Sequence, residues 1–351
     1  MLSVMVGTIF LRALHRDIAR YNSFASEEGT QEDYGWKLVH ADVFRPPPHR
    51  MALSILVGNG SQLLAMAAVT LLFAVIGVLS PSNRGALSTV TIALYVCFGS
   101  ISGYVSARIY KMNQGAHWRQ NVVLTALAAP GAIFSIFIIL NFFLVGAGSS
   151  AAVPFGTMLA LMSIWFLVSA PLSCVGSYFG LRQSAIEHPC KISQIPRQIP
   201  SQPYYFGKWV TALVGGILAF GSIFIELYFI MNSLWFHRVY YVFGFLFFVF
   251  LLLIVTCSEV AILLCYFQLC SEDYQWSWRA FTSVGFSGFY VFAYSCIYYV
   301  RKLNIGNVPS AFLYFGWSLV ISVLVTCITG SVGYIACLLF VRKVFASIKV
   351  D

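Results

Sequence analysis

Eight apolar runs, at about 51–79, 86–109, 121–147, 151–181, 208–231, 241–267, 279–300 and 309–340, follow one another along the chain. Each meets or exceeds the roughly 20 apolar residues that carry a helix across a bilayer. In hydrocarbon the backbone N–H and C=O groups must be satisfied within the segment, so runs of this kind fold as helices. Composition leaves no other solvent. Of 351 residues, 59% are hydrophobic and 9% charged, whereas soluble domains carry about a quarter charged residues. The mean hydropathy is +0.81. The chain therefore reads as an all-α polytopic membrane protein, a bundle of about eight full transmembrane helices. Its opening, MLSVMVGTIFLRAL, has too few apolar residues to span and lacks the basic n-region and cleavage site of a signal peptide. It reads as the end of a truncated first helix. The implied organisation is a helix end at 1–12, a cytosolic loop at 13–50, the bundle at 51–340 and a cytosolic tail at 341–351.

The net charge of +9 would suggest nucleic acid in a soluble protein; in a membrane protein it encodes orientation, and no nucleic-acid partner is expected. Of the 21 Lys and Arg residues, 17 fall in one alternate set of connections and four (Arg84, Arg238, Arg301 and Lys302) in the other. The richer set is cytosolic by the positive-inside rule, and it includes both ends of this chain. Two of its connections are long. Residues 13–50 contain YGWKLVHADVFRPPPHR, and 182–207 contain EHPCKISQIPRQIPSQPYY. Their prolines predict extended backbone without regular helix. Pro130 and Pro171 fall inside spans and predict bends. The nine cysteines lie mostly in apolar runs and read as small buried hydrophobes.

Few constellations carry chemistry. GNGSQ at 58–62 lacks the lysine and the preceding strand of a phosphate loop, and its small residues suit close helix packing instead. His40, Asp42 and His49 lack a scaffold and a fourth ligand for zinc, so they read as a solvated loop. No catalytic set, cofactor site or metal site is evident. Glu226, Glu259 and Gln62 are the intramembrane polar candidates. Buried carboxylates at such positions mark proton or substrate paths or serve as structural glue. Counted along their helices, Glu226 and Glu259 differ in depth by roughly 18 Å, too far for one shared site. Gly99 with Gly103, and Gly176 with Gly180, are two GxxxG pairs. Such faces pack within a bundle or dock a helix from another protein, which makes these four residues helix-docking candidates.

Several stretches together resemble one family, the nonaspanins or transmembrane nine superfamily. They are GWKLVHADVFRPP (35–47), GNGSQ (58–62), SQPYYFGKW (201–209), GSIFIELYFIMNSLW (221–235), CSEVAILLCYFQLCSEDYQWSWRAF (257–281) and the tail SIKVD. The resemblance covers essentially the whole chain, without the signal peptide and lumenal domain with which the family begins. It implies a non-enzymatic Golgi and endosomal protein that sorts other membrane proteins, including clients with glycine-rich spans, with links to adhesion and phagocytosis. It also implies a Golgi retention signal at Lys349, Val350 and Asp351, read by the COPI coat. An aromatic stem for export from the endoplasmic reticulum would match Phe340, Val341 and Phe345. The implied partners are the COPI coat, client membrane proteins and the lipid bilayer. The competing reading is a proton-coupled transporter or channel using the intramembrane glutamates.

Overall fold

Helices occupy the apolar runs and break where proline, glycine or a polar connection intervenes. The structure, a computed structural model, describes residues 2–24, 35–77, 85–146, 148, 152–202, 207–236, 240–302 and 308–347. The elements are α1 (Leu2–Phe24), a 3₁₀ turn (Trp36–Val39), α2 (Arg50–Ile76), α3 (Ala86–Cys97), α4 (Gly99–Met112), α5 (Trp118–Gly146) and α6 (Phe155–Ile164). A π-helical turn (Trp165–Ser169), α7 (Ala170–Arg182), α8 (Lys208–Phe236), α9 (Tyr240–Cys270), α10 (Trp276–Gly285), α11 (Ser287–Lys302) and α12 (Val308–Ala346) complete the order. There is no strand among the described residues. Seven membrane-crossing stretches are long and apolar enough on the described residues alone. The run at 208–231 lies on the 29-residue helix α8.

Two expectations change. The first helix does not stop at residue 12 but continues to Phe24, through the basic residues assigned to a loop. The bend at Pro171 is absorbed by the π turn just before it, where the N–H of Ala170 reaches back to the carbonyl of Trp165. Pro171 has no N–H to give, and the wider turn removes the clash its ring would cause. Pro130, by contrast, lies inside a continuous α5.

Small residues set the packing in the apolar slab. α2 is central, with α4 on one side and α12 on the other. A Cβ on Gly58 would fall 2.7 Å from the Ser102 carbonyl oxygen, and one on Gly60 would fall 2.2 Å from that of Cys327. GNGSQ is thus a crossing point. Lipid offers no hydrophobic drive between helices, so close contact and interhelical hydrogen bonds hold them. Ser54 donates to Asn121 Oδ1 at 2.9 Å, Asn121 Nδ2 donates to Ser106 Oγ at 3.1 Å, and the Ser106 and Thr125 hydroxyls lie 2.9 Å apart. All four residues are buried. Large apolar side chains instead gather at the basic end of the bundle, where Trp36, Val39, Val43, Leu269, Tyr334, Val341 and Phe345 are almost wholly buried. There water is the alternative, and burying one such side chain contributes about 1.5–3 kcal/mol.

Candidate functional site

The basic end is closed by a platform built from three segments far apart in sequence. Trp36, Val39, Val43 and Phe44 recur at i, i+3, i+7 and i+8, so one turn of 3₁₀ helix and the bends after it turn them all inward. Trp36 stands edge-on to Phe345 with ring centroids 5.5 Å apart. Asp42 is only 4% exposed. Its Oδ1 accepts from Arg45 Nη2 at 2.6 Å and Nε at 3.0 Å, and its Oδ2 accepts the backbone N–H of Arg197 at 3.2 Å. Arg45 also donates to the Ser193 carbonyl at 2.9 Å, and the Ser193 N–H donates to the Ala41 carbonyl at 2.9 Å. The third segment joins through Arg197–Glu272 at 2.8 Å and through indole donors: Trp276 Nε1 to the Val43 carbonyl at 2.9 Å, and Trp278 Nε1 to that of Pro48 at 2.6 Å. Asp273 pairs with Arg279 at 3.0 Å.

This corrects the reading of residues 35–49 as extended and solvated. Asp42 is a buried linchpin, and His40 Nδ1 lies 2.8 Å from the Lys37 carbonyl oxygen. Among the described residues, no three His, Cys, Asp or Glu side chains cluster as metal ligands. The signal for the platform was present in the sequence as the helical spacing of four apolar residues within a proline-rich loop.

His188 packs on the same platform, its ring stacked on Phe44 at 4.5 Å. Burial, and more weakly the Arg342 guanidinium, lower its pKa below the ordinary 6.5, while a backbone hydrogen bond at Met112 opposes them.

Of the two readings of the glycines, packing within the bundle has direct contacts on its side. A Cβ on Gly103 would meet the Ser173 carbonyl oxygen at 2.0 Å, and one on Gly176 the Ser100 carbonyl at 2.0 Å. Gly180 faces Tyr104 at 2.8 Å and Gly99 faces Ser169 at 3.2 Å. Both GxxxG pairs face the crossing of α4 with the π turn and α7, where each glycine meets backbone of the opposite segment. Gln62 is buried and donates from Nε2 to the Tyr95 carbonyl at 2.7 Å. It ties α2 to α3.

The export stem is corrected as well. Val341 and Phe345 are 0% and 1% exposed, so neither side chain is readable by a coat protein, and half-buried Phe340 leans on Phe10 at 5.8 Å. Lys349, Val350 and Asp351 lie outside the described residues. Glu226 sits on α8, and its side chain too is outside what the structure describes.

Glu259 faces a cleft. Between α1, α9 and α12 lies a cavity of about 440 Å³ walled by apolar side chains such as Val6, Leu14, Leu263 and Phe340, with Glu259, His15 and Lys343 as its charged or titratable lining. α1 closes one side and touches the bundle mainly along α9. Phe10 lies edge-on to Tyr266 at 5.3 Å, and the Tyr266 hydroxyl donates to Asp17. The cleft offers a long apolar surface with polar groups along it, which suits an apolar segment better than a soluble metabolite.

Comparison with known proteins follows the same lines. The family model described as Endomembrane protein 70 matches residues 1–308. The chain is 51% identical over 350 residues to Transmembrane 9 superfamily member 2 of Homo sapiens, covering 100% of this chain and 53% of that protein. It is 49% identical to Transmembrane 9 superfamily member 10 of Arabidopsis thaliana, with 100% and 55% covered. It is 46% identical over 352 residues to Putative phagocytic receptor 1a of Dictyostelium discoideum, again with 100% and 55% covered. The chain thus spans about half the length of the curated relatives it matches. No solved structure matches it.

Proposed function

The chain belongs to the endomembrane protein 70 family, the transmembrane 9 superfamily, and from this premise we propose that it is a non-enzymatic sorting factor of Golgi and endosomal membranes. It helps localise other membrane proteins, receiving their helices from the side and handing the assembly to a coat at its cytosolic end. A role in adhesion or phagocytosis extends the reading, in line with the Dictyostelium relative's name.

The observation that supports it is the mounting of α12. Val341, Val344 and Phe345 are buried against a platform assembled from stretches 35–49, 183–202 and 271–279. This anchor holds the C-terminal end of α12 at the basic end of the bundle, the end from which a coat subunit would have to read a following signal. Lys349 brings a compact cation with three donors and Asp351 a carboxylate, a pattern that an acidic pocket beside a basic one can read. In this reading the basic end is cytosolic by the positive-inside rule, since 17 of the 21 Lys and Arg residues fall in that set of connections.

The test is Lys349→Ala, compared with the unaltered chain for COPI binding to the tail peptide and for steady-state location. Coat binding should weaken and the protein should move from the Golgi to later compartments, with thermal unfolding unchanged. Undiminished coat binding together with an unchanged Golgi location would remove the proposal.

A further inference from the structure

At the basic end a second cavity, of about 510 Å³, opens between the α4–α5 turn and the last turn of α7. Its lining includes Tyr110, Lys111, Trp118, Tyr178 and Arg182, and no carboxylate. One wall is stiff because the turn folds over a ring. Tyr110 is buried, a Cβ on Gly115 would fall 2.2 Å from its ring, and its hydroxyl accepts the His117 N–H at 3.1 Å. Lys111 holds the opposite wall by donating to the carbonyls of Leu181 at 2.7 Å and Gln183 at 2.6 Å.

Charge is divided unevenly across this end. Asp42, Glu272 and Asp273 are matched to Arg45, Arg197 and Arg279, all in the platform. Around the second cavity, Arg119 and Arg182 make no ion pair among the described residues, and Arg119 lies over the Trp118 ring at 5.2 Å. Trp118 and Tyr178 are 48% and 62% exposed. Trp118 opens α5 and Arg182 closes α7, so both stand at the ends of membrane-crossing stretches, the level at which a bilayer spanned by these helices puts its headgroups. Amphipathic rings favour that level, and a guanidinium there suits a phosphate in bidentate geometry.

We propose that this cavity binds the headgroup of an anionic phospholipid from the adjoining leaflet, with Arg119 and Arg182 on the phosphate and Trp118 and Tyr178 against the glycerol and upper acyl chains. Orientation alone needs basic residues near span ends. It does not need a walled cavity with an unmatched guanidinium in its lining, a second one stacked over the lining Trp118 ring, and two exposed aromatic rings.

The purified chain in phosphatidylcholine nanodiscs supplies the test, with increasing fractions of either brominated-chain phosphatidylinositol 4-phosphate or brominated-chain phosphatidylcholine. Bromine quenches nearby indoles, and the difference between the unaltered chain and Trp118→Phe isolates the Trp118 signal. The anionic lipid should quench Trp118 at a mole fraction more than tenfold below that of phosphatidylcholine, about fivefold for each guanidinium. Arg119→Gln with Arg182→Gln should weaken this roughly fivefold for each charge removed. Lys37→Gln with Lys191→Gln, which removes two charges from the same end, should change it less than twofold. Equal quenching by the two lipids overturns the proposal, as does an equal loss in both double variants, which would mean that total charge is being read. Glycerophosphoinositol 4-phosphate should not displace the lipid. Displacement at comparable concentration would make the ligand a soluble phosphate ester and overturn the assignment to lipid. The lipid preference of the unaltered chain needs only the conservative Trp118→Phe reference, so a misfolded arginine or lysine variant leaves that arm intact.

Discussion

Gly103 and Gly176 fix how near α4 and α7 approach, and each can be tested alone. A methyl group on Gly103 would sit 2.0 Å from the Ser173 carbonyl oxygen, a backbone atom that moves only if the helix moves. Gly103→Ala should therefore cost about 1–3 kcal/mol through overpacking, read as a lower thermal unfolding midpoint in detergent. Gly7→Ala is the control, since its Cβ would lie an ordinary 3.6 Å from Glu259 Oε1; an unchanged midpoint for Gly103→Ala would contradict the close crossing. His188 sets a pH dependence at the same scale. Its packed pKa lies below 6.5, so between the two values the unpacked segment binds a proton that the packed one refuses. Stability then falls as pH drops below about 6.5 and levels off below the packed value. Hydrogen exchange over 183–202 should speed up across that window, and His188→Gln should flatten the change. A profile that stays equally steep in the variant would assign the effect to another group.

At the scale of elements, the platform depends on Asp42 more than on any cation around it. Its carboxylate serves Arg45 and the Arg197 backbone at once while being 4% exposed. Removing one partner of a buried pair strands the other, at a cost of about 3–5 kcal/mol. Asp42→Ala should release residues 183–202 to protease while the spans keep their helical content. Persistent protection would show that the indole bonds of Trp276 and Trp278 suffice. α12 links this layer to the membrane. It is 39 residues long, well beyond the roughly 20 needed to cross, and the surplus at its C-terminal end is what the platform grips.

Considered whole, the molecule has a slab held by small residues and hydroxyl networks, a water-facing cap held by aromatic burial, and one helix, α1, at its edge. With the glycine faces of α4 and α7 turned to an internal crossing, the cleft beside α1 is the lateral surface assigned to a client helix in the sorting reading. Gly7→Trp would fill its deeper part, near Glu259. Recovery of client membrane proteins with the purified chain should drop several-fold while the platform's exchange protection is retained. Unchanged recovery from a folded variant would move client binding elsewhere.

The helical class, the seven membrane-crossing stretches found among the described residues and the uneven distribution of basic residues follow from sequence alone, because hydrocarbon admits few backbone solutions and 20-residue apolar runs announce themselves. Family membership was legible in the ordered motifs for the same reason: each is a local string. What local strings do not carry is a partner. GxxxG at 99–103 reads the same whether the facing helix belongs to this chain or another, and only the tertiary crossing assigns it to Ser169, Ser173 and Ser177. A proline-rich loop reads as solvated until Trp36, Val39, Val43 and Phe44 find Phe345, about 300 residues away in sequence. Val341 and Phe345 look like a readable stem until that burial hides them. The sequence decided which segments leave water; the tertiary structure decided which surfaces remain free, because close packing is a property of pairs.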